Sequence, residues 1–304
     1  MPKLTLGGQA VIDGVMVRSP RFVSLAIRTP EGECDVWTAP APSLLLSRRW
    51  LRAPFVRGLV ALGESLSVGT WALVTSARAS HQDGSALTRP RVRLVLARSL
   101  TLSFVVFFLG PAALARAAGA GSPLDQNLLE GGLRIALVLG FLLAIGRIPA
   151  IRQVFQYHGA EHKAVHAYEA GLPLNVDSAR AASTLHPRCG TTFLLIVLMV
   201  AIAAFAALGH PPLGVWLAER VILLPVVAAV SFELLRLAQR SPRLRWLVVP
   251  GLWLQRMTTR EPDDAQLAVA LAAVADVLAK EQAFGSSSPT IAWNDTILLG
   301  VVRG

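Results

Sequence analysis

Four of the chain's six histidines, two glutamates and one of its two cysteines fall within residues 158–189. The segment reads YHGAEHKAVHAYEAG and, after a short spacer, LHPRCGT. Imidazole, carboxylate and thiolate are the side chains that bind zinc and similar divalent ions. On a helix, His158, His162 and His166 step round the axis by only about 40° each, with Glu169 among them and Glu161 to one side. One face therefore carries every candidate. Side chains four apart are neighbours, so one ion could take His158 with His162, or His162 with His166. His158 and Glu169 are about 16 Å apart along the axis and cannot share one.

His158-Gly-Ala-Glu161-His162 also matches H-x-x-E-H, the inverted zinc-protease pattern. There two histidines hold zinc and the glutamate is general base toward water. A third ligand must come from elsewhere, and His186, Cys189, Glu169 and Glu233 are the candidates. A Cys189 thiolate with three histidines suits a closed, structural ion, whereas three protein ligands plus water suit catalysis. Both stay open at this stage. The plainer reading is a polar helix whose histidines bond to headgroups or loop carbonyls, with Cys189 a packed small thiol. His81 and His210 read as surface residues of loops. Glu64 is either a solvated interfacial residue or the buried partner of an arginine.

The elements that must position this cluster are apolar. Of 304 residues 53% are hydrophobic and only 16% charged, and mean hydropathy is +0.53. A soluble domain usually carries about 25% charged residues. This deficit, with several long apolar runs, predicts an integral membrane protein of mainly α structure. The spans expected are residues 96–116, 132–150, 191–209 and 215–237, the third being 19 residues without a charge. Residues 55–77 are ambiguous, their Gly, Ser and Thr content favouring a helix at the interface or against the bundle. Residues 80–93 read as a polar, basic loop. No span carries a charge near its middle, which argues against a transport pathway.

Residues 1–53 read as a β-rich unit of short apolar or alternating runs separated by Ser19-Pro20 and Pro30-Glu31-Gly32. In SPRLRWLVVPGLWLQRMTTR, arginines alternate with Trp246 and Trp253, as in an interfacial belt. Residues 262–282 predict a helix, with Pro262-Asp263-Asp264 at its start and Leu267, Leu271, Val274 and Leu278 on one stripe. That stripe docks on another element of the chain or on a protein partner. The division expected is 1–53, a membrane domain 54–240 holding the His-rich loop 151–190, an interfacial segment and helix 241–283, and a tail 284–304 that opens as a flexible linker.

Net charge is +10 with pI near 11.0. The arginines are dispersed and tyrosine is scarce, so the charge reads as basic cytosolic loops and not a nucleic-acid surface. With both termini and the His-rich loop inside, 26 of the 29 Lys and Arg lie on the cytosolic side. Cys34 and Cys189 stand far apart, so no disulfide framework is expected. The opening MPKLTLGGQAVIDG lacks the apolar core of a secretory signal.

Six stretches together carry a resemblance: GGQAVIDGVMVRSP, PFVRGLVALGES, GRIPAIRQVFQYHGAEHKAVHAYEAG, LHPRCGTTFLLIV, SFELLRLA and PGLWLQRMTTREPDDAQLAVA. In this order they resemble the YqhQ-like family of bacterial membrane proteins, a domain of unknown function sometimes labelled a metal-dependent enzyme. The resemblance spans about residues 5–282 and fades beyond about 284. It implies an inner-membrane protein with a metal site. The family's histidine motif maps onto His158, Glu161, His162 and His166, and its HPRCGT onto His186 and Cys189. The expectation is a metal-dependent hydrolase at the cytosolic membrane face, zinc the ion, Glu161 the base, His158 and His162 ligands, and His186 or Cys189 completing the shell. A peptide bond and a lipid ester suit it equally. The alternative is a non-enzymatic assembly or scaffold protein whose structural metal pins residues 158–189.

Overall fold

The structure, a computed structural model, describes residues 4–41, 43–80, 89–119, 121–208 and 212–286. His81, His210 and most of the C-terminal tail lie outside the described residues. The N-terminal segment is a meander of four antiparallel strands in sequence order: β1 Gly7–Val11, β2 Gly14–Arg18, β3 Phe22–Arg28 and β4 Cys34–Pro40. Period-two alternation gives the sheet two apolar faces. Val11, Met16, Val23, Leu25 and Ile27 form one; Val15, Val17 and Ala26 form the other. Burying both requires a layer on each side. Cys34, on β4, is an exposed free thiol.

After α1 (Leu44–Ser47) the chain enters α2 (Val56–Ala79), whose Val68 and Ala72 cover the first face. Glu64 of α2 proves to be an arginine partner: its carboxylate is 2.7 Å from Arg18 and accepts from the Leu44 N–H at 2.6 Å. Helix α3 (Arg89–Phe104) continues through a π turn at Val105–Leu109 into α4 (Gly110–Ala117). A π turn breaks the regular i to i−4 bonding. Here Arg134 of α5 (Pro123–Ile145) donates to the carbonyls of Phe107 and Phe108.

The expected span 132–150 divides in two. Ile148 is held extended by the proline that follows it, which ends one helix and opens the next, α6 (Pro149–Ala170). Helix α7 (Val176–Arg180) leads to a loop and then α8 (Gly190–Ala206). Helix α8 has 17 residues, not the 19 expected, at the short end of what crosses a bilayer core. Its first turn is committed to the site below. Helix α9 (Leu213–Arg240) is followed by a 3-10 turn (Pro242–Val248), α10 (Val249–Thr258) and α11 (Asp264–Ser286).

Among the described residues four helices are long and apolar enough to cross a membrane: Val56–Ala79, Leu94–Ala117, Leu124–Ile145 and Gly214–Arg240. The ambiguous segment 55–77 is thus among them, while the expected span 191–209 forms a shorter apolar helix, Gly190–Ala206. The four bury between 6% and 28% of their most apolar windows inside the protein. So much outward apolar surface suggests membrane association. Two of these helices carry buried charge, and Arg134 stands near the middle of Leu124–Ile145, where the sequence reading expected none. Glu130 bridges Arg134 at 2.5 Å and Arg220 at 2.7 Å. Arg220 also lies over the rings of Trp216 and Phe205, so each guanidinium is compensated in place. Glu233, a candidate ligand from sequence, instead pairs with Arg57, whose Nε is 2.7 Å from its Oε1.

The second sheet face is covered by α6 and α11, with Leu267, Leu271, Val274 and Val277 buried in a shared core with Tyr157, Ala160 and Ala164. The stripe expected on 262–282 is therefore docked within the chain. Asp263 and Gln266 cap its start reciprocally. Glu281 receives Ser19 Oγ at 2.7 Å and the Arg21 side chain, and Asp276 receives Ser24 and Thr38. Trp246 and Trp253 are exposed.

Helix α6 passes so close to the α10–α11 connection that a Cβ on Gly159 would overlap the Arg260 carbonyl oxygen. Backbone cannot rotate away as a side chain can. Gly159→Ala is expected to cost about 1–3 kcal/mol, the usual range for overpacking, read as a lowered thermal midpoint in detergent.

Candidate metal centre

The 3.6-residue period of α6 places its histidines on one face. That face meets two segments far away in sequence: residues 184–189 and the end of α10. The contacts share one pattern. His158 Nδ1 is 2.9 Å from the Thr258 carbonyl oxygen, His162 Nδ1 is 2.5 Å from that of Thr184, and His166 Nε2 is 2.8 Å from that of Leu185. A carbonyl only accepts, so each of these ring nitrogens carries the proton. In a neutral imidazole the other nitrogen then presents its lone pair. Burial pushes His162 down to about 3 and His186 down to about 4, with neighbouring imidazoles adding to the effect. Both rings are neutral at physiological pH.

The donors fall into two groups. His158, His162 and Cys189 have ligand atoms within 4.8 Å of one another, and so do His166, Glu169 and His186. In the first group His158 Nε2 is 3.2 Å from Cys189 Sγ. Cys189 is the N-cap of α8 and is approached by Thr191 Oγ1 at 3.2 Å. Burial pushes its thiol up, while the Thr191 contact draws it back. In the second group His186 Nε2 is 3.3 Å from Glu169 Oε2, and Arg188 holds the other carboxylate oxygen. The rings of His162 and His186 are 5.7 Å apart between centres, so the groups adjoin.

Glu161 sits beside the first group, Oε2 3.5 Å from His162 Nε2, and is buried under β1. Burial pushes its carboxyl up to about 8; His158 pulls it down and Cys189 adds to the rise. A cavity of about 650 Å³ opens over this group. His158, Glu161, His162, His186 and Cys189 are in its walls, as are Gly7 to Ala10 of β1. His166 and Glu169 do not line it.

Sequence reasoning named the donors but missed their supports. Gln255 clamps the loop: its Oε1 accepts from the His186 N–H at 2.8 Å, and its Nε2 donates to the His186 carbonyl at 2.8 Å and to Thr192 Oγ1 at 3.0 Å. Lys163 ties α6 to the Arg180 carbonyl at 2.8 Å and to Glu261 at 2.6 Å. A polar Gln255 inside the apolar stretch LWLQRM was the one signal available. The carbonyls of Thr184, Leu185 and Thr258 have no side-chain signature at all. Glu233 is not part of the site.

Fold and site together define a helical protein with four span-length apolar helices and a buried His/Cys/Glu cluster held against an N-terminal sheet. The chain belongs to the DUF1385 family, proteins of unknown function, whose model matches residues 53–280. It is 35% identical over 297 residues to the uncharacterized protein YqhQ of Bacillus subtilis (strain 168), covering 90% of this chain and 92% of that one. No solved structure matches it.

Strand β1 and the cluster are in direct contact. A Cβ on Gly8 would overlap Glu161 Oε1 and lie 2.5 Å from its Cγ, so only glycine leaves room for this carboxylate. Gly8→Ala is expected to destabilise the protein by about 1–3 kcal/mol. Gly8→Ala combined with Glu161→Ala should recover most of that loss, because contacting residues are not additive. Thermal midpoints of the two single variants and the double variant test this.

Proposed function

We propose that the chain is a metal-dependent hydrolase working at a membrane surface, zinc being the ion its donors suit best. The observation that carries this reading is the disposition of His158 and His162. Each has one ring nitrogen hydrogen-bonded to a carbonyl, and the other lies with the Cys189 sulfur beside a cavity. Metal-ligating histidines are oriented by such partners as a rule. Three protein donors with an open side suit catalysis, whereas a structural ion sits in a closed shell of four. His158, His162 and Cys189 would hold the ion. When bound, such an ion supplies Lewis acidity to a substrate carbonyl and to water.

Glu161 is the general base in this reading. It lies next to His162 and lines the same cavity, where it can take a proton from the attacking water and return it to the leaving group. A nearby dication favours its ionised form and opposes the effect of burial. His166, Glu169 and His186 form a separate set of which only His186 reaches the cavity, and no catalytic part is assigned to that set. The long apolar helices support a bilayer as the protein's surroundings.

Elemental analysis and turnover on a panel of fluorogenic peptides and esters test the proposal together. About one zinc per chain is expected at the first set, lost in the His158→Ala/His162→Ala variant. Glu161→Gln should keep the ion and lower turnover by about 10²–10⁴, the range of general acid–base catalysis. Full turnover in Glu161→Gln would overturn the catalytic reading. If Cys189→Ser then unfolded the protein, the ion would be structural and the scaffold reading would stand.

A further inference from the structure

Strand β1 lies at the edge of the sheet, and its free edge is a wall of the cavity that holds the donors. It joins β2 through the two-residue turn Ile12–Asp13, with Val11 opposite Gly14 and Gln9 opposite Met16. In an antiparallel pair, residues that exchange hydrogen bonds alternate with residues that do not. The turn closes on Val11 and Gly14, so Val11, Gln9 and Gly7 bond to β2, while the N–H and C=O of Gly8 and Ala10 face outward. Among the described residues, none of these outward groups has a backbone partner. Gly7, Gly8, Gln9 and Ala10 all line the cavity. Side chains alternate across a strand, so four consecutive residues reach one cavity through the strand's edge.

From this juxtaposition we propose that the substrate is a peptide, bound in extended form as a fifth strand along the free edge of β1. The proposal rests on the hydrolase reading above and names the substrate of that same site. Gly8 and Ala10 repeat donor and acceptor at about 6.8 Å, the two-residue rise of an extended chain. A peptide main chain matches both with its own C=O and N–H groups, as in strand addition at other sheet edges. A lipid ester offers acceptors alone and leaves the edge carbonyls unpaired. The register also places the bond to be cut. Glu161 lies against Gly8, so the peptide unit paired with Gly8 is the one held over Glu161 and the first donor set. The cavity is of the size typical of ligand pockets and suits a short segment.

The test uses the full chain, purified in detergent and loaded with zinc. Three probes are titrated: acetohydroxamate, an alanyl–valyl tetrapeptide hydroxamate, and the same tetrapeptide with two amides replaced by esters. All three present one chelating group, but only the second keeps every main-chain N–H. The tetrapeptide hydroxamate is expected to bind at least about tenfold more tightly than its ester analogue, the loss of two hydrogen bonds. Ala10→Pro removes one outward N–H without touching the β2 ladder, a change that edge strands accept. It should weaken the tetrapeptide probe while acetohydroxamate binds as before. Equal affinity for the amide and ester probes, with zinc bound, overturns the peptide proposal and leaves the metal site standing. Absence of zinc together with failure of all three probes overturns the metal reading, and the peptide proposal with it.

Discussion

Three carbonyl oxygens, those of Thr184, Leu185 and Thr258, fix the orientation of the histidines on α6. Each accepts an N–H from an imidazole on α6. Those bonds decide which ring nitrogen keeps a lone pair and where it points. Without them three imidazoles in a largely buried place would need partners of another kind. With them α6 becomes a row of oriented bases. The carbonyls belong to chain segments that are separate in sequence, so the supports of that row are themselves in need of support. Gln255 supplies it at one end by holding both backbone groups of His186. Lys163 supplies it at the other, between the Arg180 carbonyl and Glu261.

The sheet serves the same end. An antiparallel meander of four strands commonly leaves one face to water. Here α2 covers one face, and α6 with α11 covers the other. Clamped between them, β1 cannot drift from α6, and the Gly8–Glu161 contact is kept. Ion pairs finish the assembly where helices approach the sheet, Glu64 to Arg18 and Glu281 to Arg21. Neither carboxylate touches the donor sets.

Much of this was legible in the residues. The His and Glu face of α6 followed from four-residue spacing, the β unit from alternation and turn formers, and the C-terminal helix from its leucine and valine stripe. The boundaries that moved did so for local reasons. Pro149 cut an apolar run in two, and the start of α8 was fixed by the Cys189 cap and not by hydropathy. Segment 55–77 looked too rich in Gly, Ser and Thr for a membrane span and was expected as a helix at the interface or against the bundle; Gly58 and Gly69 are where it meets the Phe232 and Gln9 side chains. Glu130, Arg134 and Arg220 were invisible as a unit because 90 residues separate Glu130 from Arg220. Spacing along one helix reads easily. A partner brought in by the fold, above all a backbone carbonyl, leaves no trace in the sequence.

The first donor set and its surroundings draw on residue 8, on residues 158–189 and on residues 255–258. The order of synthesis gives that spread a consequence. When α6 leaves the ribosome, its histidines have neither Cys189 nor the Thr258 carbonyl, and when α8 follows, the loop still lacks its Gln255 clamp. A chain halted before α10 holds loose histidines and no oriented cluster. The site is completed only once nearly the whole polypeptide has been made and its two ends brought together. The cluster is therefore among the last parts of the fold to be assembled.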